Sequence, residues 1–535
     1  MKNPEIFIVM VLYMCIVIGI GVYFYKRAQK SSENYFLGGR SLGPWVAAMS
    51  AEASDMSGWL LMGLPGVAYW CGLADAFWTA LGLAIGTYVN WLIIAKRLRN
   101  YSQLAGNSIT VPDFFSNRFK EKKKIILGIA SAFILIFFTV YASSCFVTVG
   151  KLFNTLFGFD YHVTLIIGAI FVVAYTLIGG FLAESVSDFM QAIVMIMALV
   201  TMIIVGVVNA GGFGAVVENS KNIDGFLSLG KLATPVVGEN GEQLSALGKP
   251  LFGEASDYGF LKILSMLAWG LGYFGVPQVL LRFMAIRKSG EIKRSRIIAT
   301  VWCVISLAAA VLIGIIGRTL LPVDEALNTA SKAESILIVM STEYLPLIIA
   351  GLIMAGILAA TISSSDSYLL IASSSVSVNI FKGIIKKDKK VDDKQVMWIS
   401  RIVLVVIAIV GIIIAWKEDS VIFNLVSFAW AGFGATFGPI MLFSLFWKRT
   451  TREGAIAGMV TGGVSVFVWK LVLNQFLSDT IPFFGLYELL PAFILSSIAI
   501  VVASLLSKEP DKEIVDEFEK VKRGEVEEAQ PVVAE

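Results

Sequence analysis

Thirteen apolar runs, each about 18 residues or longer, leave this chain few ways to fold, because a run of that length matches the hydrocarbon thickness of a bilayer only as a helix. They fall near residues 5-25, 43-71, 73-95, 124-157, 162-179, 185-208, 258-285, 296-319, 335-381, 397-415, 422-446, 452-473 and 487-506. In hydrocarbon every backbone N–H and C=O must be satisfied within its own segment, so the expected fold is an all-α polytopic membrane protein. Composition agrees, with 57% hydrophobic and 16% charged residues in 535. The long fourth and ninth runs are expected to include interfacial helix turns. The first run lacks a small-residue cleavage site and is read as a retained helix.

Lysine and arginine fix the expected orientation. Lys26, Arg27, Lys30 and Arg40; Lys96 to Lys124; Arg287 to Arg296; Lys382 to Lys394; and Lys448, Arg449 and Arg452 all fall on one side, which the positive-inside rule makes cytoplasmic. With thirteen spans the N-terminus is then outside the cell membrane and the C-terminus inside. The tail from Ser507 reads as a solvated charged segment, with a short amphipathic helix from Asp511 to Lys522 as the alternative. The largest outer loop, 209 to 257, reads as a partial lid or a mobile segment.

Several functions find no support. Cys15, Cys71, Cys145 and Cys303 lie in apolar stretches without metal-ligand spacing and read as packing residues, and the single histidine, His162, argues against histidine proton relays. No nucleophile-base pair, phosphate loop or soluble domain points to an enzyme or to nucleic acid, and no filter loop or charged ring points to a channel.

Residues 50 to 66 instead place Asp55, several hydroxyls, three glycines and a proline inside a membrane run. An aspartate there costs roughly 2.5 to 3.5 kcal/mol on insertion scales, and Gly58 weakens the helix beside it, freeing carbonyls for a small hard cation. The alternative is a packing helix in which Asp55 is merely salt-bridged. A second break is predicted at 265 to 282, where Gly270, Gly272 and Gly275 precede Pro277. The two breaks open two five-helix blocks entered from opposite sides, the pattern of an inverted repeat with its site at mid-membrane.

Four ordered stretches, Tyr35 to Pro44, Ser54 to Trp59, Trp269 to Gly275 and Ala429 to Gly434, resemble the sodium/solute symporter family, most closely its sodium/proline branch, and the resemblance runs from about residue 5 to 506. It implies sodium-coupled alternating access by a five-plus-five inverted-repeat core. The implied organisation is an extra helix and first loop (1-42), a first repeat (43-208), the outer loop (209-257), a second repeat (258-446), two further helices (447-506) and the tail (507-535). It also implies a Na+ site built from the carbonyls of Ala53, Met56 and Ala360 with the hydroxyls of Ser363 and Ser364. The spacing of Ala360, Ser363 and Ser364, at i, i+3 and i+4, puts all three on one helix face.

For a small amino-acid substrate, proline by the resemblance, the candidate residues are Asp55, Ser57, Gly58, Trp59, Tyr141, Trp269, Tyr273, Pro277 and Gln278. Broken helices offer free amides for a carboxylate, and ring faces can hold an ammonium. In the branch Asp55 and Ser57 also bear on sodium. Ser363, Asp366 and Ser367 form a stripe that, with Asp188, is implied to hold a second cation or a proton. The chain departs from the branch in several places: Val276 and Gln278 flank Pro277 where glutamine and histidine are usual, Glu52 replaces glycine, Glu184 an apolar residue, Ser364 a threonine, and Asp366 and Tyr368 fall in a normally Ser- and Gln-containing stretch. Each surplus carboxylate either lines the pore or pairs with a nearby lysine or arginine. The expected partners are the substrate and the lipid bilayer, with neither nucleic acid nor an obligate protein.

Overall fold

The computed structural model describes residues 3–28, 31–243, 251–386 and 391–525. Lys30, the charged segment 387–390, residues 244–250 of the long loop and the tail after residue 525 lie outside the described residues. Among the described residues ten helices are long and apolar enough to cross a bilayer, or eleven with Phe260–Phe274 and Pro277–Ala285, bent by 41°, taken as one span. In the other two expected runs the helices are too short to cross a bilayer alone, for local reasons. The helix of the second run is cut at Met56, leaving Pro44–Asp55 and Trp59–Cys71, while the fifth run, Tyr161–Leu177, is separated from Gly180–Asn209 by Gly180 at φ 61°. The protein is mostly helical and multi-pass.

The fourth run is one unbroken helix, Ile125–Phe157, closed by Gly158 in the left-handed conformation, and its 33 residues extend about 50 Å, longer than a hydrocarbon core of about 30 Å. The ninth run does divide, into Ile336–Tyr344 and Leu347–Ser374, continuing as wider turns over Ser375–Ile385.

Leu347–Ser374 is the buried centre. It packs on Pro4–Ala28, Ile125–Phe157, Tyr161–Asn209 and Asp393–Ile414, and small residues let backbones approach: a side chain at Gly351 would meet Val9, one at Gly356 Ala198. Helix Asp393–Ile414, at the periphery, exposes Trp398, Val406, Ile409 and Ile413, a lipid-facing stripe.

Below the two broken helices the chain ties their ends together. Leu42 N–H donates to the Ala285 carbonyl at 3.2 Å and Arg287 N–H to the Leu42 carbonyl at 3.0 Å. Arg40, expected as a loop charge, is buried beneath this bridge and donates to the carbonyls of Met284 at 2.6 Å and Ser108 at 2.8 Å.

Two peripheral segments carry structure of their own. The described part of the long loop holds a helix Phe213–Lys221 and two short antiparallel strands, Lys231–Leu232 and Ser256–Asp257, which qualify the all-α expectation. The tail is not merely solvated: helix Lys512–Arg523 buries Ile514, Phe518 and Val521, spaced i, i+4 and i+7, and Lys120 reaches Glu513 at 2.5 Å and Glu517 at 2.6 Å.

Candidate functional site

The two helix breaks meet at Asp55. Met56 N–H makes the last regular bond, to the Glu52 carbonyl at 2.8 Å; ψ of 79° at Met56 then turns the chain, and Ser57 N–H bonds the Asp55 carbonyl at 3.1 Å. A side chain on Gly58 would collide with Thr148, so the loosened turn is also a close approach to helix Ile125–Phe157. From the other break, Tyr273 donates its hydroxyl to Asp55 Oδ2 at 2.8 Å and Gln278 its amide to Oδ1 at 3.4 Å. The Asp55 carbonyl receives Trp59 Nε1 and the Tyr141 hydroxyl, each at 3.2 Å. Asp55 is thus held by neutral donors, which departs from the salt-bridged alternative. The second break has an equally local cause: side chains at Gly272 and Gly275 would collide with the Trp430 indole and the Phe433 carbonyl, and Pro277 starts the next helix at its first position.

Facing the first break, the Ser363 and Ser364 hydroxyls lie 2.9 and 3.2 Å from the Ala53 carbonyl, and Ser363 lies 3.1 Å from that of Ala360. Four of the five expected sodium ligands therefore converge. The donor set is hard and neutral, carbonyl and hydroxyl oxygens only, which suits a monovalent cation. Met56 stands at the bend itself, its sulfur 3.8 Å from the Ser306 hydroxyl.

The aromatic candidates form two buried ring clusters, one around Trp269 and one around Tyr141. Trp59 and Trp269 have ring centroids 6.3 Å apart, Trp269 packs on Phe423 and Tyr487 at 5.1 Å each, Tyr273 meets the edge of Trp430 at 5.0 Å, and Tyr141 stacks on Tyr368 at 4.2 Å. Each of the four is at most 1% exposed, and Trp59, Tyr141 and Tyr273 reach Asp55 through their polar atoms. Pro277 looks the other way, into a small cleft with Phe36, Val111 and Ser374.

Below lies a buried charge cluster. Arg282 pairs with Glu184 and with Asp188, the latter at 3.1 Å, and also donates to Ser367 Oγ at 2.8 Å. Ser50 donates to Asp188 Oδ2 at 2.7 Å, and Ser367 to Glu184 Oε1 at 2.5 Å. The arginine does not pair with Asp366, whose Oδ1 receives the Ser367 N–H at 2.8 Å while Oδ2 has no partner among the described residues. Of the surplus carboxylates, Glu184 takes the arginine, and Glu52 takes only the Trp91 indole, at 3.4 Å.

Arg282 is the residue sequence reasoning missed. It stands inside the seventh run, and the argument that singled out Asp55 applies equally to an arginine there. The partners in the Trp269 cluster, Trp430, Tyr487 and Phe423, carried no such signal, because apolar rings in apolar helices are ordinary.

The sequence model of the sodium:solute symporter family matches residues 35–462. The chain is 40% identical over 521 residues to sodium/proline symporters of Staphylococcus aureus, strains USA300 / TCH1516 and JH9, covering 97% of this chain and 96% of each relative. In fold it is similar to a Na+-coupled sialic acid symporter solved in a substrate-bound outward-open state, with a TM-score of 0.74 at 20% identity over 95% of this chain and 99% of that one. It is also similar to MhsT in complex with L-phenylalanine, with a TM-score of 0.53 at 13% identity over 86% and 97%. The chain belongs to the sodium:solute symporter family.

Proposed function

We propose that this protein imports L-proline, driven by sodium, through alternating access between the two faces of the cell membrane, with its N-terminus outside and its C-terminus in the cytoplasm. In this reading Pro44–Cys71 is one broken span and Tyr161–Leu177 another, which brings the spans to thirteen, and the two breaks occupy equal places in two inverted five-helix repeats. The observation that carries it is the convergence of Ser363 and Ser364 on the Ala53 carbonyl beside the first break. Sodium at that point takes the carbonyls of Ala53, Met56 and Ala360 and the two serine hydroxyls as ligands. It holds the first break open against helix Leu347–Ser374 and so favours the conformation that admits substrate. The proline carboxylate meets the free amides around Ser57 and Gly58, and the ring lies among Trp59, Tyr141, Trp269 and Tyr273, with Asp55 and Gln278 completing the pocket, while Pro277, turned to the separate cleft, acts only by starting the helix after the second break. One inward charge at 100 mV supplies about 2.3 kcal/mol, close to a fiftyfold accumulation, before the sodium gradient is counted. Asp188, Asp366 and Ser367 are proposed to hold a second cation or a proton.

A second reading keeps the mechanism and changes the solute to another small amino acid or organic solute. Val276 and Gln278, beside Pro277, favour it. A competition panel against labelled proline in proteoliposomes, with and without a sodium gradient, tests both readings. Uptake indifferent to sodium but following a proton gradient overturns the sodium reading, and a solute that displaces proline at far lower concentration overturns proline.

A further inference from the structure

Four spans, Pro4–Ala28, Ile125–Phe157, Tyr161–Leu177 and Leu347–Ser374, surround an apolar cavity of about 230 Å³. Its one hydroxyl, on Thr164, already bonds the Asp160 and Tyr161 carbonyls at 3.0 Å each, and no charged side chain among the described residues lines it. A water there would find no partner. The cavity is instead continuous with the lipid-facing surface. Ile167 in its wall is 61% exposed and belongs to the outward stripe Val163, Ile167 and Ile170, while helix Pro4–Ala28, which supplies Phe7 and Met14 to the wall, turns its own stripe of Ile8, Leu12 and Ile16 outward. Depth sets the scale. Val172, eleven residues beyond Tyr161, and Leu358, eleven beyond Leu347, each lie about 16 Å along their helices, close to half of a hydrocarbon core of about 30 Å. Phe159, in the turn before Tyr161, lines the other end.

We propose that this cavity binds one acyl chain of a phospholipid from the leaflet at the Phe157 end of helix Ile125–Phe157, opposite the basic residues Lys120 to Lys124, with the chain terminus against Leu358 and Ile362. Three observations select that occupant. The cavity runs from one membrane face to mid-depth, the reach of a single chain; it opens on the surface where such chains already lie; and it is narrower than the pockets of about 300 to 1,000 Å³ that take drug-sized ligands. An empty void would forfeit the dispersion contacts of its whole lining, and a chain restores them. The position bears on the candidate sodium site. Leu358 and Ile362 stand on either side of Ala360, and Ile362 directly precedes Ser363, so the chain props from the lipid side the helix that faces the first break. The site itself does not depend on the symporter reading.

The test uses the full chain in nanodiscs of phosphatidylglycerol that contain a trace of the same lipid with a diazirine at the end of one chain. After irradiation, adducts are mapped by peptide mass spectrometry. Leu358 and Ile362 are at most 3% exposed, so a chain on the outer surface does not reach them, whereas the exposed Ile409 and Ile413 report surface lipid. Adducts at Leu358 and Ile362 should at least equal those at Ile409 and Ile413. They should fall at least threefold in Val172→Phe, which fills the cavity, and in Ile167→Trp, which covers its mouth, with labelling of Ile409 and Ile413 unchanged. Should Val172→Phe fail to assemble, Ile167→Trp, at an exposed position, gives the same reading. A diazirine moved next to the headgroup should label Phe7 and Phe159 instead. The proposal is overturned by an absence of adducts at Leu358 and Ile362, by equal labelling of them in Ile167→Trp and the unsubstituted chain, by equal labelling from either diazirine position, or by labelling from a free diazirine fatty acid but not from the phospholipid.

Discussion

Lys151 Nζ lies 2.8 Å from Glu334 Oε2, and both side chains are nearly buried, at 7% and 1% exposure. The same carboxylate receives the N–H groups of Ile422 and Phe423 at 2.9 Å each, so it caps helix Ile422–Phe446 while pairing with helix Ile125–Phe157. Phe423 in turn packs on Trp269, which links this joint to the ring cluster around Trp269. A negative group at a helix N-terminus is favourable, and a buried pair with its oxygens used is a strong latch.

Removing either partner alone strands a buried charge, which costs about 3 to 5 kcal/mol. Lys151→Met and Glu334→Gln are therefore each expected to lower the thermal midpoint of the purified protein clearly, with Glu334→Gln the worse of the two because it also weakens the helix cap. Combining the two should recover part of the loss. A double variant as unstable as the sum of the singles would show that the pair is not the latch.

Replacing Ser363 and Ser364 together by alanine removes two of the oxygens around the Ala53 carbonyl. The half-saturating sodium concentration is expected to rise at least tenfold, or about 1.4 kcal/mol, while proline affinity at saturating sodium changes less. Asp55→Asn should act in the same direction, since Asp55 anchors the turn through Tyr273 and Gln278. Sodium titrations of initial uptake rate measure both effects, and equal shifts for sodium and proline would count against a separate cation site.

Trp269→Ala and Tyr273→Ala should each raise the half-saturating proline concentration tenfold or more. A desolvated aromatic contact contributes about 0.5 to 2 kcal/mol, and here repacking of Trp430 against the vacated ring adds to it. Direct binding of labelled proline separates this from a turnover defect; unchanged binding in both variants would take these rings out of the pocket.

The tail helix makes a different kind of prediction. Its ion pairs are partly exposed, the Lys120 side chain at 31% and Glu513 at 73%, so they contribute at most about 1 kcal/mol, whereas a buried Phe518 contributes about 1.5 to 3. Phe518→Ala should release residues 512 to 523 to fast amide exchange, and Lys120→Gln should do so only slightly. Burial lowers the pKa of Lys120, but Glu513 and Glu517 more than offset it and leave it above the usual lysine value. Its contribution is therefore complete at neutral pH and fades only as pH rises beyond the ordinary lysine range. A loss of protection near pH 7, after correction for the intrinsic pH dependence of amide exchange, would contradict this assignment.

Much of the site was legible because membrane burial makes polar residues conspicuous. Asp55 stands out in an apolar run, whereas Ala360, Ser363 and Ser364 were implied by the family resemblance, and helical spacing agreed by placing all three on one face. The glycines around Gly272 predicted a break correctly, but their second cause, collision with Trp430 and the Phe433 carbonyl, depends on a helix more than 150 residues away. The docking of the tail was not evident either: three apolar residues among charges are compatible with a solvated segment until Arg118 and Lys120 give them a surface. Arg282 was missed through attention to carboxylates, and it is the residue that decides how the deep acidic group balances.

That balance yields the last prediction. Glu184 and Asp188 share Arg282, with which Asp366 makes no ion pair, and each of the three carboxylates keeps one oxygen without a partner among the described residues. With all three ionised and one arginine the cluster carries two uncompensated negative charges in a medium that penalises them, which bound cations, retained protons or one of each offset. If that balance includes a second coupled cation, the sodium Hill coefficient of the wild type exceeds one, and Asp366→Ser lowers both the coefficient and the charge moved per substrate. If it consists of fixed protons, the coefficient stays near one in both proteins and the charge moved is unchanged. Arg282→Met should abolish uptake in either case, because it leaves Glu184 and Asp188 without their cation, and Arg282→Lys should restore only part, since one ammonium cannot reproduce the forked contacts to Glu184, Asp188 and Ser50. Charge-to-flux ratios in proteoliposomes at several fixed membrane potentials distinguish the two: equal ratios in wild type and Asp366→Ser, with a Hill coefficient near one, rule out the second cation.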